Sequence, residues 1–184
     1  MPAVVREDPQ PGRWLPPAIV VGVIALIVGG GQALAGALTS SEGGVVRVGA
    51  VELQPRPGWE VVSATTDPDV ARLHRGAVAL DIIASGPDAT GPASIVVRYV
   101  EERLRPILSQ LSPAGPELVV LPNGAPAARV AYVGVTPDGL SIEGVVTAVA
   151  GSSASALFDA AAPRGELIAV ADDLQAMIDG AVVP

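Results

Sequence analysis

The sequence predicts an α+β fold: an N-terminal transmembrane helix, then one domain built on a largely antiparallel β-sheet flanked by helices. Three observations predict it. Residues 14–38 carry no charged side chain. Beyond residue 44, short β-branched runs alternate with Pro, Gly and Asp turn signals, spaced too closely for crossover helices between parallel strands. Two stretches, 90–111 and 167–178, switch to apolar residues recurring every three or four positions, the period of a helix with one buried face. The resulting organisation is a cytoplasmic tail over 1–13, a signal-anchor helix over 14–38, a linker over 39–44 and an extracytoplasmic domain over 45–184.

The first element follows from length and polarity. Pro16 and Pro17 suit the first turn of a helix, where the missing N–H groups have no intrahelical partner anyway. At ~1.5 Å per residue, Ala18 to Leu38 spans about 31 Å as a helix, which matches a hydrocarbon core of roughly 30 Å. Trp14 falls at the interface, where an amphipathic ring is favoured. Arg6 and Arg13 precede the segment and Arg47 follows it, which sets the N-terminus inside and gives a single-pass topology in the cell membrane. Ala25, Gly29, Ala33 and Ala37 lie four apart and form a face on which another membrane helix can pack closely. Ala33-Leu34-Ala35 also fits a signal-peptidase site. Cleavage near Ala35 is the alternative, and it gives a secreted domain. Both readings carry the domain out of the cytoplasm.

The domain's elements follow in order. Val45 to Leu53 reads as one strand, Pro57-Gly58 as a turn and Trp59 to Ala64 as a second strand. Asp67-Pro68-Asp69 is a turn, and Val70–Arg75 with Ala77–Ser85 forms a tight hairpin about Gly76. Over 90–111, Val97, Val100, Leu104, Ile107, Leu108 and Leu111 make an apolar helical face. Glu101 with Arg105, and Arg98 with Glu102, are pairs four apart on its solvated side. Pro106 predicts a kink or break, because it cannot donate a hydrogen bond to the preceding turn. Strands resume over 117–121, 127–136, 140–150 and 154–160, with Pro137-Asp138-Gly139 as a turn tripeptide. Leu167, Val170, Leu174, Met177 and Ile178 define a closing amphipathic helix, capped at Gly180.

The run Val51-Glu52-Leu53 into Pro57-Gly58-Trp59, the hairpin around Arg75-Gly76-Ala77, a central helix, a second strand set and a closing helix together resemble the Mog1/PsbP-like α/β/α sandwich family over residues 45–182. The resemblance implies a non-catalytic accessory or assembly factor that attaches to a larger complex. No residue-level binding motif of that family is legible in this chain.

The chemical inventory is narrow. Cys is 0, and all 11 basic residues are arginine, which excludes thiolate nucleophiles, disulfides, cysteine zinc sites and Schiff-base lysines. The net charge of -8 argues against nucleic acid as a partner. His74, the single histidine, sits in a strand with no G-x-S-x-G elbow anywhere to supply a nucleophile, and reads as a surface residue. One imidazole leaves no histidine-based metal site. Asp67-Pro68-Asp69 does not continue into a calcium loop, and Asp172-Asp173 reads as solvated. Glu60, Asp81 and Glu143 are the strand carboxylates available for acid–base work. Arg98, Arg103 and Arg105 form a basic cluster interleaved with Glu101 and Glu102, so self-pairing competes with binding an anionic partner. Trp59 reads as core.

No phosphate loop or dinucleotide fingerprint follows any strand, and no cofactor is expected. The expectation is a non-enzymatic, membrane-anchored domain whose partners are the lipid bilayer and another membrane or envelope protein. The alternative is an exported carrier or sensor for a small or lipidic ligand held between sheet and helix.

Overall fold

The computed structural model describes residues 44–62 and 67–184. The segment 14–38 and its small-residue face Ala25, Gly29, Ala33 and Ala37 lie outside the described residues. Among the described residues, no helix is long and apolar enough to cross a membrane.

The described residues form ten strands and two α-helices, with one π-helical and one 3₁₀ turn. Val45 to Leu53 is not one strand but a hairpin, β1 (Val46–Val48) and β2 (Val51–Leu53), turning at Gly49-Ala50. The reason lies at Gly49. Its φ of 53° is a left-handed conformation open to glycine, and a Cβ there would lie 2.8 Å from Asp69 Oδ1. The Gly49 N–H donates to Pro68 O at 3.1 Å, so the hairpin tip docks on the turn before β4. Strand pattern alone does not reveal a turn inside an apolar run.

β3 (Glu60–Val62), β4 (Val70–Arg75) and β5 (Val78–Ser85) follow as predicted, β4 and β5 turning at Gly76-Ala77. Helix α1 covers Pro92–Tyr99 and then widens into a π-helical turn, Val100–Leu104, where the Arg105 N–H bonds back to Val100 O at 2.9 Å. The predicted helix to residue 111 is therefore too long. Pro106 cannot continue the ladder, and Ser109 already donates to Val135 O at 2.8 Å in the sheet. Leu111 belongs to an unpredicted strand, β6 (Gln110–Pro113), paired with β8. Val96, Val100, Leu104 and Leu108 form the buried stripe, a spacing of four that the wider turn brings into line, while Val97 points outward.

β7 (Glu117–Val120), β8 (Pro126–Val135), β9 (Ser141–Ala150) and β10 (Ser155–Pro163) complete the sheet. A 3₁₀ turn, Leu167–Val170, leads into helix α2, Ala171–Asp179, which ends at Gly180 as predicted. The eight-stranded sheet has the order β3-β4-β5-β10-β9-β8-β6, with β7 also on β8, and every pairing is antiparallel. The last strand in the chain is thus the middle of the sheet, which explains its near-complete burial. Pro113 and Pro116 interrupt the β6–β7 edge, a device that discourages edge-to-edge pairing.

The sheet has a core on each face. On one, Val96, Val100, Leu104 and Leu108 pack on Val130, Val146, Ala148 and Leu157. On the other, hairpin β1–β2 and Leu174, Met177 and Ile178 of α2 pack on Leu73, Leu80, Phe158 and Trp59. Burial of these aliphatic side chains, each worth roughly 1.5–3 kcal/mol, takes the place of the missing aromatics.

Candidate functional site

Strand register assembles the most unusual chemistry of the domain. Arg72 on β4 is opposite Asp81 on β5, and Asp81 is opposite Asp159 on β10. Directly paired positions share a face, so the three polar side chains form a row across the sheet on the α1 side. Asp81 and Asp159 are 8% and 7% exposed. The Arg72 guanidinium donates twice to Asp81, Nε to Oδ1 at 2.6 Å and a terminal nitrogen to Oδ2 at 3.0 Å, the bidentate geometry that arginine favours.

Asp159 has no guanidinium of its own. Tyr99, the last residue of α1, donates its hydroxyl to Asp159 Oδ2 at 2.8 Å, and Tyr132 on β8 donates to Oδ1 at 3.0 Å. These are the only 2 tyrosines in the chain. Tyr132 must cross β9 to reach β10, and Gly144 lets it: a Cβ on Gly144 would sit 2.3 Å from the Tyr132 ring. One glycine on β9 is therefore a condition of the Tyr132–Asp159 bond.

Two carboxylates share one guanidinium, leaving one net negative charge in a poorly solvated site if both ionise. Burial, reinforced by the Asp81 charge, raises the Asp159 carboxyl to about 7, against the lowering effect of the Tyr99 and Tyr132 hydroxyls and Arg72. Burial and then the Asp159 charge push both tyrosines well above their ordinary value, so they remain neutral donors. The arrangement holds one exchangeable proton near neutrality beneath helix α1.

The residues flagged by sequence are more dispersed. His74 sits at the sheet surface near β3, its Nε2 3.5 Å from Glu60 Oε2, both partly exposed. Glu143 faces the opposite side of the sheet from Asp81 and accepts the N–H groups of Gly165 and Leu167 at 2.9 and 3.1 Å, which fixes the turn into α2. The three strand carboxylates therefore do not converge. Asp67 accepts the Asp69 N–H at 3.0 Å in a turn, as expected. Asp173 is not simply solvated: it pairs with Arg75 and, at 3.6 Å, with Arg56, tying α2 to the turn region of β4 and the loop after β2. Trp59 is buried in the α2-side core.

Within the basic cluster, Glu101 and Arg105 pair as expected, at 2.5 and 2.7 Å. Arg98 does not take Glu102. It bonds Asp88 at 2.5 Å across the loop before α1, and the Thr90 hydroxyl together with Arg98 draws the Asp88 carboxyl down to about 2. Among the described residues, no three His, Asp or Glu side chains are grouped to hold a metal ion. Asp159, Tyr99 and Tyr132 are the residues that sequence reading missed. The available signal was one acid in the otherwise apolar run 156–162.

No family model matches the chain, and no curated protein matches it in sequence. Solved structures do match in shape. Cyanobacterial PsbP (CyanoP) from Synechocystis superposes with a TM-score of 0.56 at 14% identity, over 82% of this chain and 99% of that one. LpqN, described as involved in cell envelope biogenesis of Mycobacterium tuberculosis, gives 0.54 at 13% identity, over 79% and 88%. A point mutant of the protein Mog1 gives 0.52 at 11% identity, over 77% and 95%. The domain has a Mog1/PsbP-like fold.

Proposed function

We propose that this chain is a membrane-anchored, non-enzymatic accessory domain on the outer side of a bacterial cytoplasmic membrane, where it holds a protein partner in an envelope complex. The observation that carries the reading is the pairing of a Mog1/PsbP-like domain with the uncharged segment 14–38 ahead of it. A segment of that length and polarity is suited to span a bilayer. The fold is that of LpqN, whose description places it in cell envelope biogenesis, and the accessory role is the one that the family resemblance implies. The small-residue face Ala25, Gly29, Ala33 and Ala37 gives the anchor a means of meeting a partner helix inside the membrane.

The test is recovery of the full chain from native membranes in mild detergent. The proposal expects a second envelope protein to be recovered in constant ratio, and expects Gly29→Leu with Ala33→Leu to reduce that recovery. A chain that elutes alone as a monomer, unaffected by the two leucines, contradicts it.

A further inference from the structure

We propose that the free edge of β7 is a docking surface for a second copy of this chain, the two β7 strands pairing antiparallel about Val119 so that two sheets join into one. β7 is bonded to β8 on one side, and among the described residues no strand pairs with it on the other. The Leu121 N–H donates to Ala125 O at 3.0 Å. Alternation along an antiparallel ladder then turns the backbone groups of Glu117, Val119 and Leu121 towards β8 and those of Leu118 and Val120 outwards. Pro126, opposite Val120, has no N–H to offer it. The same two residues carry the uncovered side chains: Leu118 is 71% exposed and Val120 73%, both on the α1 side of the sheet. Pro113 and Pro116 close the β6 end of this edge and Pro122 ends β7, which confines pairing to the stretch 117–121.

That stretch is complementary to itself. A two-fold axis through Val119, normal to the sheet, sets Leu118 opposite Val120 of the second copy, and Val120 opposite its Leu118. Each pair exchanges both N–H···O bonds, and the exposed aliphatic side chains cover one another on the α1 side. The axis also sets Pro116 opposite Pro122, and neither has an N–H to leave unbonded where the ladder stops. Glu117 falls opposite Leu121. The two Glu117 carboxylates are roughly 14 Å apart along the strands, beyond a screening length of about 8 Å.

The start of the described chain selects a second copy as the occupant, an argument that rests on the anchor proposed above. Gly44 leads into hairpin β1–β2, which packs on the α2 side of the sheet. An axis normal to the sheet keeps both hairpins on that side, so both anchors enter one bilayer. Stacking of the exposed α1 sides would send them in opposite directions. Two identical small-residue faces, Ala25, Gly29, Ala33 and Ala37, then share the bilayer and are able to pack on each other. Confinement in one membrane raises the effective concentration, so a short seam is enough.

Disulfide trapping tests the pairing, because the chain has no cysteine of its own. Val119 opposite Val119 is a pair without hydrogen bonds, its Cα atoms about 4.5 Å apart, inside the ~4.4–6.8 Å that a disulfide spans. Membrane and soluble fractions of cells making the full-length chain are oxidised side by side. Val119→Cys is expected to give about tenfold or more cross-linked dimer than Val133→Cys, which lies half-exposed on β8 away from the seam. Leu118→Cys and Val120→Cys, both at exposed sites, are expected to cross-link when co-expressed, with Cα atoms about 5.5 Å apart, and not when either is made alone. This arm carries the test if Val119→Cys does not fold. Absence of the Val119→Cys link in a folded chain, absence of the mixed link, equal linking at Val133→Cys, or a strand of another protein cross-linked at this edge overturns the pairing. The fraction reads the anchor separately: a membrane-bound chain without the links fails the pairing alone, and a soluble chain with them fails the anchor alone.

Discussion

At the scale of single residues, the domain's chemistry is concentrated on Asp159, and its neighbours permit sharp predictions. Gly144→Ala would place a methyl group 2.3 Å from the Tyr132 ring. The ring must move, the Tyr132–Asp159 bond is lost, and overpacking of this kind costs about 1–3 kcal/mol. Urea unfolding should show that loss for Gly144→Ala and almost none for Gly115→Ala, whose site is open. Tyr132→Phe removes one of the two hydroxyls that oppose burial. The Asp159 carboxyl should then titrate higher than about 7, which carboxyl NMR would read directly, and a downward move would refute the assignment. In the unaltered protein the raised carboxyl makes the fold lose stability as pH climbs from ~4 to about 7 and then level off, by up to ~4 kcal/mol from this one group. Melting curves at pH 5 and pH 8 should differ accordingly, and Asp159→Asn should flatten the difference. Arg72 and Asp81 were visible in the sequence as polar residues in predicted strands, but nothing there shows that β10 returns to lie beside β5. Register over a separation of 78 residues creates the Asp81–Asp159 pair, and local pattern carries no information about it.

At the scale of elements, periodicity found most of the strands and both helices, and it failed where tertiary pairing overrode it. The stripe from Val100 to Leu108 is buried as its spacing implies, but Leu111 continues the same period into a strand. Ser109 and Gln110 are claimed by Val135 on β8, so the sheet, not only the proline, ends the helix. Pro106→Ala should accordingly leave the helical content seen by circular dichroism unchanged. It should lower stability by about 0.4–1 kcal/mol through the freer unfolded chain. An increase in helical signal would mean that Pro106 alone stops α1. The β1–β2 turn was illegible for a related reason. Gly49-Ala50 sits between apolar residues, and its need for glycine comes from Asp69, a neighbour 20 positions away. The exposed pair Glu101–Arg105 was the easiest feature to read, since its partners are four positions apart on one helical face, and solvent screening leaves it little weight in stability.

At the scale of the whole molecule, one antiparallel sheet separates two aliphatic cores, each closed by its own helix, and this much the order of elements already implied. The likeness to CyanoP, LpqN and Mog1 at 11–14% identity shows how weakly that architecture depends on particular residues. An aliphatic sequence with 3% aromatic residues satisfies it as long as the alternation is kept. In the proposed function it is residues 14–38 that place this sandwich in the cell. The most direct measurement is therefore fractionation of native cells, combined with protease treatment of right-side-out spheroplasts. The account predicts a full-length chain that stays with the cytoplasmic membrane through a high-salt wash and loses its 45–184 domain to added protease while the cells remain sealed. A full-length chain recovered from the cytosol, untouched by protease until the cells are broken, would contradict it.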